Sequence, residues 1–234
     1  MRIIRNERRI RVSSFIGQYA TLAGLLALVA GLVISFTRPG WLVLMLLSVG
    51  LGILLSAVGG FFADRYTSPL AHHDVLARVL KGLGNQYALL QYVLPASQVL
   101  LEPGGCTVFV VKAQGGQVTC QGNGRWKHLQ RGKFFRQFAG QEGLGAPDVE
   151  AGHQVHRLER HLARHLPDVE IPVRAVIVFV NPDVTLDVAA SPVPVFYDKK
   201  VKAWLRGPGK LKPLPSGAHR RLAEVLGVDQ SESR

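Results

Sequence analysis

Cysteine is scarce in this chain, which has only Cys106 and Cys120 among its 234 residues. So few cysteines exclude a small disulfide-rich secreted scaffold, because such a framework needs several pairs. The two cysteines flank the turn formed by Gly115 and Gly116. If that turn closes a two-residue hairpin, Cys120 lies opposite Val111 and not opposite Cys106. We therefore expect free thiols in a reducing compartment.

Carboxylates are also in short supply. The chain has 16 Asp and Glu residues against 28 Lys and Arg residues, a formal net charge of +12. Such an excess favours polyanionic partners, namely nucleic acid or the anionic surface of a membrane. The alternative is that many of these cations are the flanking charges of a membrane-anchored protein. Composition leaves both interpretations open.

Two long apolar stretches, residues 15–36 and 41–62, come first. Each reaches the roughly 20 residues that a membrane-spanning helix needs. A cleaved signal peptide is the competing interpretation, but the first stretch is too long for one and the second follows almost at once. With Pro39 and Gly40 between them, the stretches predict a transmembrane helical hairpin in the lipid bilayer, residues 13–66, after a basic N-terminal segment, residues 1–12.

Small residues recur three or four positions apart along both apolar stretches. Such residues let the backbones of membrane helices approach closely. They predict a packed interface, either within the hairpin or between copies of the chain in a homo-oligomer. The first stretch carries Ala20, Gly24, Ala27 and Gly31, and the second carries Ser48, Gly52, Ser56 and Gly60.

The charges around the apolar stretches predict their orientation. Five arginines lie before residue 12, and Arg65, Arg78 and Lys81 follow the second stretch, whereas the turn between the stretches contains only Arg38. The positive-inside rule then places both ends of the hairpin in the cytoplasm. We expect a multi-pass protein of the inner or plasma membrane, with its N-terminus and its soluble domain cytoplasmic.

After residue 69 the sequence takes the pattern of an α/β (α+β) domain, predicted over residues 70–205. The run at 172–181 is continuously apolar, which is typical of a strand that is buried on both faces of a mixed sheet. A basic C-terminal extension with a short helix follows, residues 206–234. The predicted elements are a helix (72–84), an antiparallel meander of four strands (87–94, 98–102, 107–112 and 117–121), a second helix (148–166) and the strand at 172–181.

The helix predicted at 148–166 has two opposite faces. At 100° per residue, apolar residues from Ala151 to Leu166 share one face, and three arginines share the other. A row of cations opposite a core face can bind phosphates; an ordinary solvated face is the alternative. The basic loop at 125–136 adds further cations. The candidate nucleic-acid-binding residues are Arg157, Arg160, Arg164, Arg125, Lys127, Arg131 and Lys133.

The segment TVFVVKAQGG, residues 107–116, has the form of a catalytic strand without its acid. A buried strand ends at Lys112, and alternation places Val108, Val110 and Lys112 on one side. Metal-dependent nucleases commonly have a carboxylate two residues before such a lysine. Here that position is Val110, which offers no ligand to a metal ion.

Four landmarks, in order, resemble the nuclease-related domain (NERD) family. This family belongs to the PD-(D/E)xK nuclease-like superfamily, whose restriction-endonuclease-like core has the order αβββαβ, and membrane helices occur beside such domains. The resemblance covers roughly residues 70–205. The landmarks are VFVVKAQGGQV (108–118), Trp126, the helix that contains AGHQVHRLERHL (151–162), and VIVFVNPDVTLDV (176–188) followed by PVPV (192–195).

The resemblance implies where a catalytic site would lie. In active members a metal ion bridges one acid on the second core strand and another two residues before the lysine, and the lysine helps to position the attacking water. Lys112 matches the lysine, Val110 takes the position of one acid, and the other acid maps near Ser97. The acid on the family's first helix maps to Asp74. The resemblance therefore implies a degenerate site without metal or other cofactor.

Three functional hypotheses follow. The first is a membrane-tethered, catalytically degenerate nuclease-like module that binds nucleic acid or another polyanion. The second is an active Mg²⁺-dependent nuclease with relocated carboxylates, for which Glu102 and Asp74 are the candidates beside Lys112. The third is a membrane protein that serves in protein interaction or oligomerisation. We also expect Lys112 either to reach solvent or to pair with a carboxylate, with Glu102 or Asp74 as the first candidates, because an unpaired ammonium against apolar surface is costly.

Overall fold

The computed structural model of the chain describes residues 1–67, 71–122, 124–130, 132 and 143–228, apart from the side chain of Asp64. The chain divides into two compact units. The first comprises Met1–Asn6, His72–His128 and Leu144–Arg234, and the second comprises Glu7–Ala71 and Leu129–Gly143.

The second unit is built on two long apolar helices, α1 (Glu7–Thr37) and α2 (Leu42–Tyr66). The apolar windows of the two helices have mean hydropathies of 2.2 and 2.5, and 11% of each window is buried. By length and composition, both helices can cross a membrane. The prediction of two long apolar N-terminal helices is confirmed, and α1 begins eight residues before its apolar stretch because the arginine-rich segment continues the helix.

Small residues bring α1 and α2 into close contact. A Cβ atom added to Gly24 would lie 2.7 Å from the backbone nitrogen of Ser56, and one added to Gly52 would lie 2.6 Å from Leu28. The hydroxyl of Ser48 donates a 2.6 Å hydrogen bond to the carbonyl of Ala27. The two small-residue faces therefore meet within the hairpin. Association between copies through these faces stays a prediction.

The first unit is a mixed α/β domain. Its main sheet has six strands in the order β1-β2-β3-β4-β7-β9, in which β2, β3 and β4 are antiparallel neighbours and β4, β7 and β9 run parallel. The mixed sheet is as predicted. The described helices are α3 (His72–Leu80), α4 (Pro147–His165), α5 (Asp198–Arg206) and α6 (Ser216–Val225). The strands are β1 (Arg2–Arg5), β2 (Ala88–Gln91), β3 (Gln98–Glu102), β4 (Gly105–Lys112), β5 (Gly116–Cys120), β6 (Trp126–Leu129), β7 (Val173–Phe179), β8 (Val184–Asp187) and β9 (Val195–Tyr197).

Helices cover both faces of this sheet. Leu158 of α4 and Leu222 of α6 are fully buried in one hydrophobic cluster with Val99 and Val108 of the sheet. On the other face, the carbonyl of His73 in α3 accepts a hydrogen bond from the side chain of Gln91 in β2. Helix α5 packs beside β7 and β9 on the same face. Every residue of β4 is consequently buried, as its apolar sequence implies.

The prediction that the strand at 117–121 is the fourth strand of an antiparallel meander is wrong. β5 belongs to a separate three-stranded sheet of order β6-β5-β8, in which it runs parallel to β8 with Gly116 opposite Val184. The backbone leaves the main sheet after β4, where Gly116 adopts a φ of +85°, a conformation that favours glycine. Cys120 is therefore not paired with Val111. Cys106 and Cys120 are both free and buried.

Both chain ends contribute to the first unit. β1 pairs in parallel with β2, from Arg2 opposite Ala88 to Arg5 opposite Gln91, so part of the predicted basic N-terminal segment is an edge strand. At the other end, α6 places Leu222, Ala223 and other apolar residues in the core. The predicted C-terminal extension is thus packed into the domain up to Val228, the last residue described.

Candidate functional site at the lysine end of the central sheet

The face of β4 that ends at Lys112 points toward α4. Val110 is 1% exposed and packs in a cluster with Ala151 of α4 and with Ile177 and Phe179 of β7. Lys112 follows two residues later on the same face and is 4% exposed. The structure therefore places an ammonium group at the edge of an apolar cluster, where it requires a partner.

Glu150 of α4 is a partner of Lys112. The Nζ atom of Lys112 lies 2.8 Å from Oε2 of Glu150, whose side chain is 33% exposed. Gln154, one helical turn further, donates from Nε2 to Oε1 of Glu150 at 3.2 Å, and its own Oε1 accepts the backbone N–H of Ser97 at 3.0 Å. This lysine network, defined as Lys112, Glu150, Gln154 and Ser97, joins β4, α4 and the turn between β2 and β3.

The two positions that lack acids lie beyond the paired part of β3 and β4, which runs from Val99 opposite Val108 to Glu102 opposite Gly105. Ser97 immediately precedes β3, and Val110 follows two residues after Val108 on β4. Neither side chain carries a carboxylate. Among the residues that the structure describes, no group of three or more His, Cys, Asp or Glu side chains is arranged to hold a metal ion.

Glu102 lies at the opposite end of the sheet from Lys112. It is opposite Gly105, seven residues before Lys112 on β4, which is about 23 Å at ~3.3 Å per residue. Its carboxylate accepts bonds from Nη2 of Arg174 at 3.1 and 3.2 Å, and a further bond from the hydroxyl of Thr107. Burial raises the pKa of Glu102, against the lowering effect of Thr107 and Arg174. The expected pairing of Glu102 with Lys112 is wrong.

Asp74 is also separated from Lys112. It lies in the first turn of α3, on the other face of the sheet, and its Oδ1 lies 3.2 Å from Nη1 of Arg5. The guanidinium of Arg5 in addition donates to Gln91 at 2.6 Å, and Gln91 donates to the carbonyl of His73 at 2.7 Å. Asp74 thus ties the N-terminal strand to α3, and its expected pairing with Lys112 is wrong because the sheet lies between them.

Sequence reasoning did not assign Glu150 and Gln154. They lie four residues apart on the flank of α4, between the core face and the arginine face. A carboxylate and an amide at that spacing are neighbours on a helix. This polar pair, on the helix expected to cover β4, was the signal that could have identified the partner of Lys112.

The outer face of α4 carries the predicted arginine row. Arg157, Arg160 and Arg164 are all exposed. None of the three forms an ion pair with another residue in the described part of the chain, and Arg157 bonds only weakly, at 3.4 Å, to the carbonyl of His153. Partial burial, and then the charges of His165 and Arg164, lower the pKa of His161 beside this row.

Two of the loop cations lie near the start of α4. Arg125 and Lys127 are exposed on either side of Trp126. The indole Nε1 of Trp126 donates a 2.8 Å hydrogen bond to Asp148 in the first turn of α4, which anchors β6 to that helix. The other two loop candidates, Arg131 and Lys133, lie outside the described residues.

No protein-family model, curated protein or solved structure matches the chain. The resemblance to the NERD family accordingly rests on the sequence landmarks alone.

Proposed function

We propose that this chain is a membrane-anchored, nuclease-like domain of the NERD type that has lost its catalytic acids and binds nucleic acid or another polyanion. The binding surface is the outer face of α4, centred on Arg157, Arg160 and Arg164, with Arg125 and Lys127 near its beginning. The protein is multi-pass, with the N-terminus and the domain in the cytoplasm. It requires no metal ion or other cofactor.

The arginine row carries this proposal. Like charges three or four residues apart destabilise a helix by about 0.2–0.5 kcal/mol per pair. Arg157 and Arg160 are three apart, and Arg160 and Arg164 are four apart. An ordinary solvated face would intersperse the two signs of charge and relieve this repulsion. A row of exposed, unneutralised guanidinium groups is instead suited to the regularly spaced phosphates of a polyanion, which would relieve it on binding.

The lysine network favours binding over catalysis. A Mg²⁺ ion needs carboxylate oxygens, and the positions Ser97 and Val110 offer none. Glu102 and Asp74, the candidates for relocated acids, lie at the other end and on the other face of the sheet. The contact of Lys112 with Glu150 further engages the one side chain that would have to act on the attacking water.

The membrane anchor is proposed from the two apolar helices. Only 11% of each apolar window is buried, so most of both helices presents apolar side chains to the surroundings. A lipid bilayer is the environment in which such a surface is stable. The cytoplasmic orientation rests on the arginines that flank the hairpin.

Salt dependence of oligonucleotide binding tests the proposal. The full chain, in a neutral detergent, is titrated into labelled single-stranded and duplex oligonucleotides, and binding is followed by fluorescence anisotropy. We expect weak binding without sequence preference, with an affinity that falls linearly on a log–log plot against salt. Replacing Arg157, Arg160 and Arg164 with Gln should reduce the slope by roughly 2–3, because each phosphate contact contributes about 0.7–0.9.

A matched variant controls for net charge. Arg78→Gln, Lys81→Gln and Arg221→Gln together remove the same charge from exposed positions of the same unit. This control should leave the slope within about one unit of the wild type. An equal loss of slope in both triple variants would show that the arginine row is an ordinary solvated face. Absence of oligonucleotide binding by the wild type would refute the proposal.

A further inference from the structure

A cationic cavity lies at the end of the main sheet that is remote from Lys112. It has a volume of about 220 Å³ and is formed where β1, the start of β2 and α6 meet. Its lining includes Arg2, His219 and Arg220, together with the polar side chains of Asn85 and Gln86. No carboxylate is among the described residues that line it.

The basic groups of this cavity are held by secondary structure. Arg2 is fixed in β1, where its backbone N–H bonds to the carbonyl of Tyr87, and its guanidinium reaches the carbonyl of Val228 at 3.4 Å. His219 and Arg220 are consecutive residues of α6. Arg220 pairs with Glu224 at 3.1 Å, but the two side chains are 79% and 50% exposed, and a solvent-exposed pair of this kind contributes only about 0–1 kcal/mol.

His219 lines the cavity, but not through its Nε2 atom. That atom is inaccessible to solvent, so a ligand in the cavity does not reach it with the side chain in this position. The cations that line the cavity are therefore Arg2 and Arg220.

We propose that this cavity binds a phosphate group. Arginine donates in a fork that matches the oxygens of phosphate, and the two arginines balance the charge of −1.5 to −2 that a phosphate monoester carries at neutral pH. The volume is about seven times the ~30 Å³ that a water molecule occupies in the liquid, so a tetrahedral oxyanion fits with part of its hydration. The site is separate from α4 and does not depend on the function proposed there.

Isothermal titration of the full chain in a neutral detergent tests the site. Inorganic phosphate is the first probe and adenosine 5′-monophosphate the second, at constant ionic strength. We expect saturable binding of at least one probe. Tighter binding of the monophosphate would indicate a phosphomonoester as the ligand, and equal binding would indicate the phosphate group alone. The double variant His219→Gln/Arg220→Gln should weaken binding about tenfold or more.

Arg221→Gln is the matched control, because Arg221 adjoins the pair but does not line the cavity. It should leave the affinity unchanged. The Arg157, Arg160 and Arg164 variant should also bind phosphate like the wild type, which separates this test from that of the α4 surface. If neither probe saturates the site at ~10 mM, the proposal is overturned, as it is by an unchanged affinity in the double variant. If the double variant fails to fold, Arg220→Gln and Arg2→Gln are measured singly, and unchanged affinity in both overturns it.

Discussion

The two ends of the central sheet each contain an ion pair, but the more deeply buried member is a cation at one end and an anion at the other. In the lysine network the side chain of Lys112 is 5% exposed and that of Glu150 is 33% exposed. At the opposite end, Glu102 is 2% exposed and Arg174 is 23% exposed. In each pair one member stays in contact with water while the other depends on its partner.

This difference determines how each end can respond to the loss of a partner. Burying a charge is costly unless it is paired, and a carboxylate can escape the cost by taking up a proton. Burial already raises the pKa of Glu102. A group whose pKa is raised by folding stabilises the protein below its ordinary pKa and loses that contribution as the pH rises through the folded-state value. The Glu102 end should therefore tolerate disruption better in acid than at neutral pH.

Removing Arg174 should produce the largest effect. Arg174→Met leaves the carboxylate of Glu102 buried without its guanidinium and also removes the stacking of that group on Trp204 at 4.5 Å. We expect a loss of about 3–5 kcal/mol in the free energy of unfolding at pH 7. The loss should shrink toward pH 5, because Glu102 becomes protonated more readily once the lowering effect of Arg174 on its pKa is gone. Urea unfolding at the two pH values measures both.

The double variant Glu102→Gln/Arg174→Met is the control for this change. It removes both charges while conserving volume, so most of the stability should return. A cost of Arg174→Met that is equal at pH 5 and pH 7 would contradict the proposed role of Glu102 protonation.

The elements of the domain were largely predictable, whereas their long-range partners were not. Helical periodicity predicted α3 and α4 because each buries one regular face. The pairing of β1 could not be read from four residues whose partner lies more than 80 positions later. The misplaced fourth strand of the meander has the same origin: a Gly-Gly turn is typical of a hairpin, but its neighbours leave the sheet to pair with β8.

Removing Glu150 should have a smaller effect than removing Arg174. Glu150→Gln keeps a hydrogen-bonding side chain of the same shape beside Lys112 but takes away its negative charge. We expect a loss of about 1.5–3 kcal/mol in the free energy of unfolding, the range for hydrogen bonds to charged groups. Because the side chains of Lys112 and Glu150 are in contact, the double variant Lys112→Met/Glu150→Gln should lose less free energy of unfolding than the sum of the two single variants.

Glu159→Gln is the matched control, since Glu159 is an exposed glutamate of the same helix. It should change the stability by no more than about 0.5 kcal/mol. Equal costs for Glu150→Gln and Glu159→Gln would show that the contact with Lys112 contributes nothing to stability.

The candidate site was predictable only in part. Alternation along β4 correctly placed Val110 and Lys112 on one face, because the side-chain period of a strand is fixed at two. The partner of Lys112 depends on which helix covers that face, and the packing of α4 is a tertiary property. Glu102 is closer to Lys112 in sequence than Glu150 is, but it lies at the wrong end of the sheet. Asp74 is as far from Lys112 in sequence as Glu150 is, 38 residues, but it lies on the wrong face.

We expect the protein to have no metal-dependent nuclease activity. With Ser97 and Val110 in the positions of the two acids, we expect the purified protein to cut neither DNA nor RNA in Mg²⁺ or Mn²⁺ above the level of a Lys112→Ala variant. Val110→Glu alone should remain inactive, because the position beside Ser97 would still lack its acid.

The structure makes the restoration experiment stricter than the sequence could. Ser97→Asp with Val110→Glu would supply carboxylates at the two positions where the resemblance implies the acids, and carboxylate oxygens are the ligands that such a metal ion needs. Glu150 would still engage Lys112, so we expect the triple variant that adds Glu150→Gln to bind Mn²⁺ and to cleave more than the double variant. Cleavage by the wild type that Lys112→Ala abolishes would instead make the lysine end a working active site. The contrast between the two ends would then be one between a catalytic pair and a structural pair.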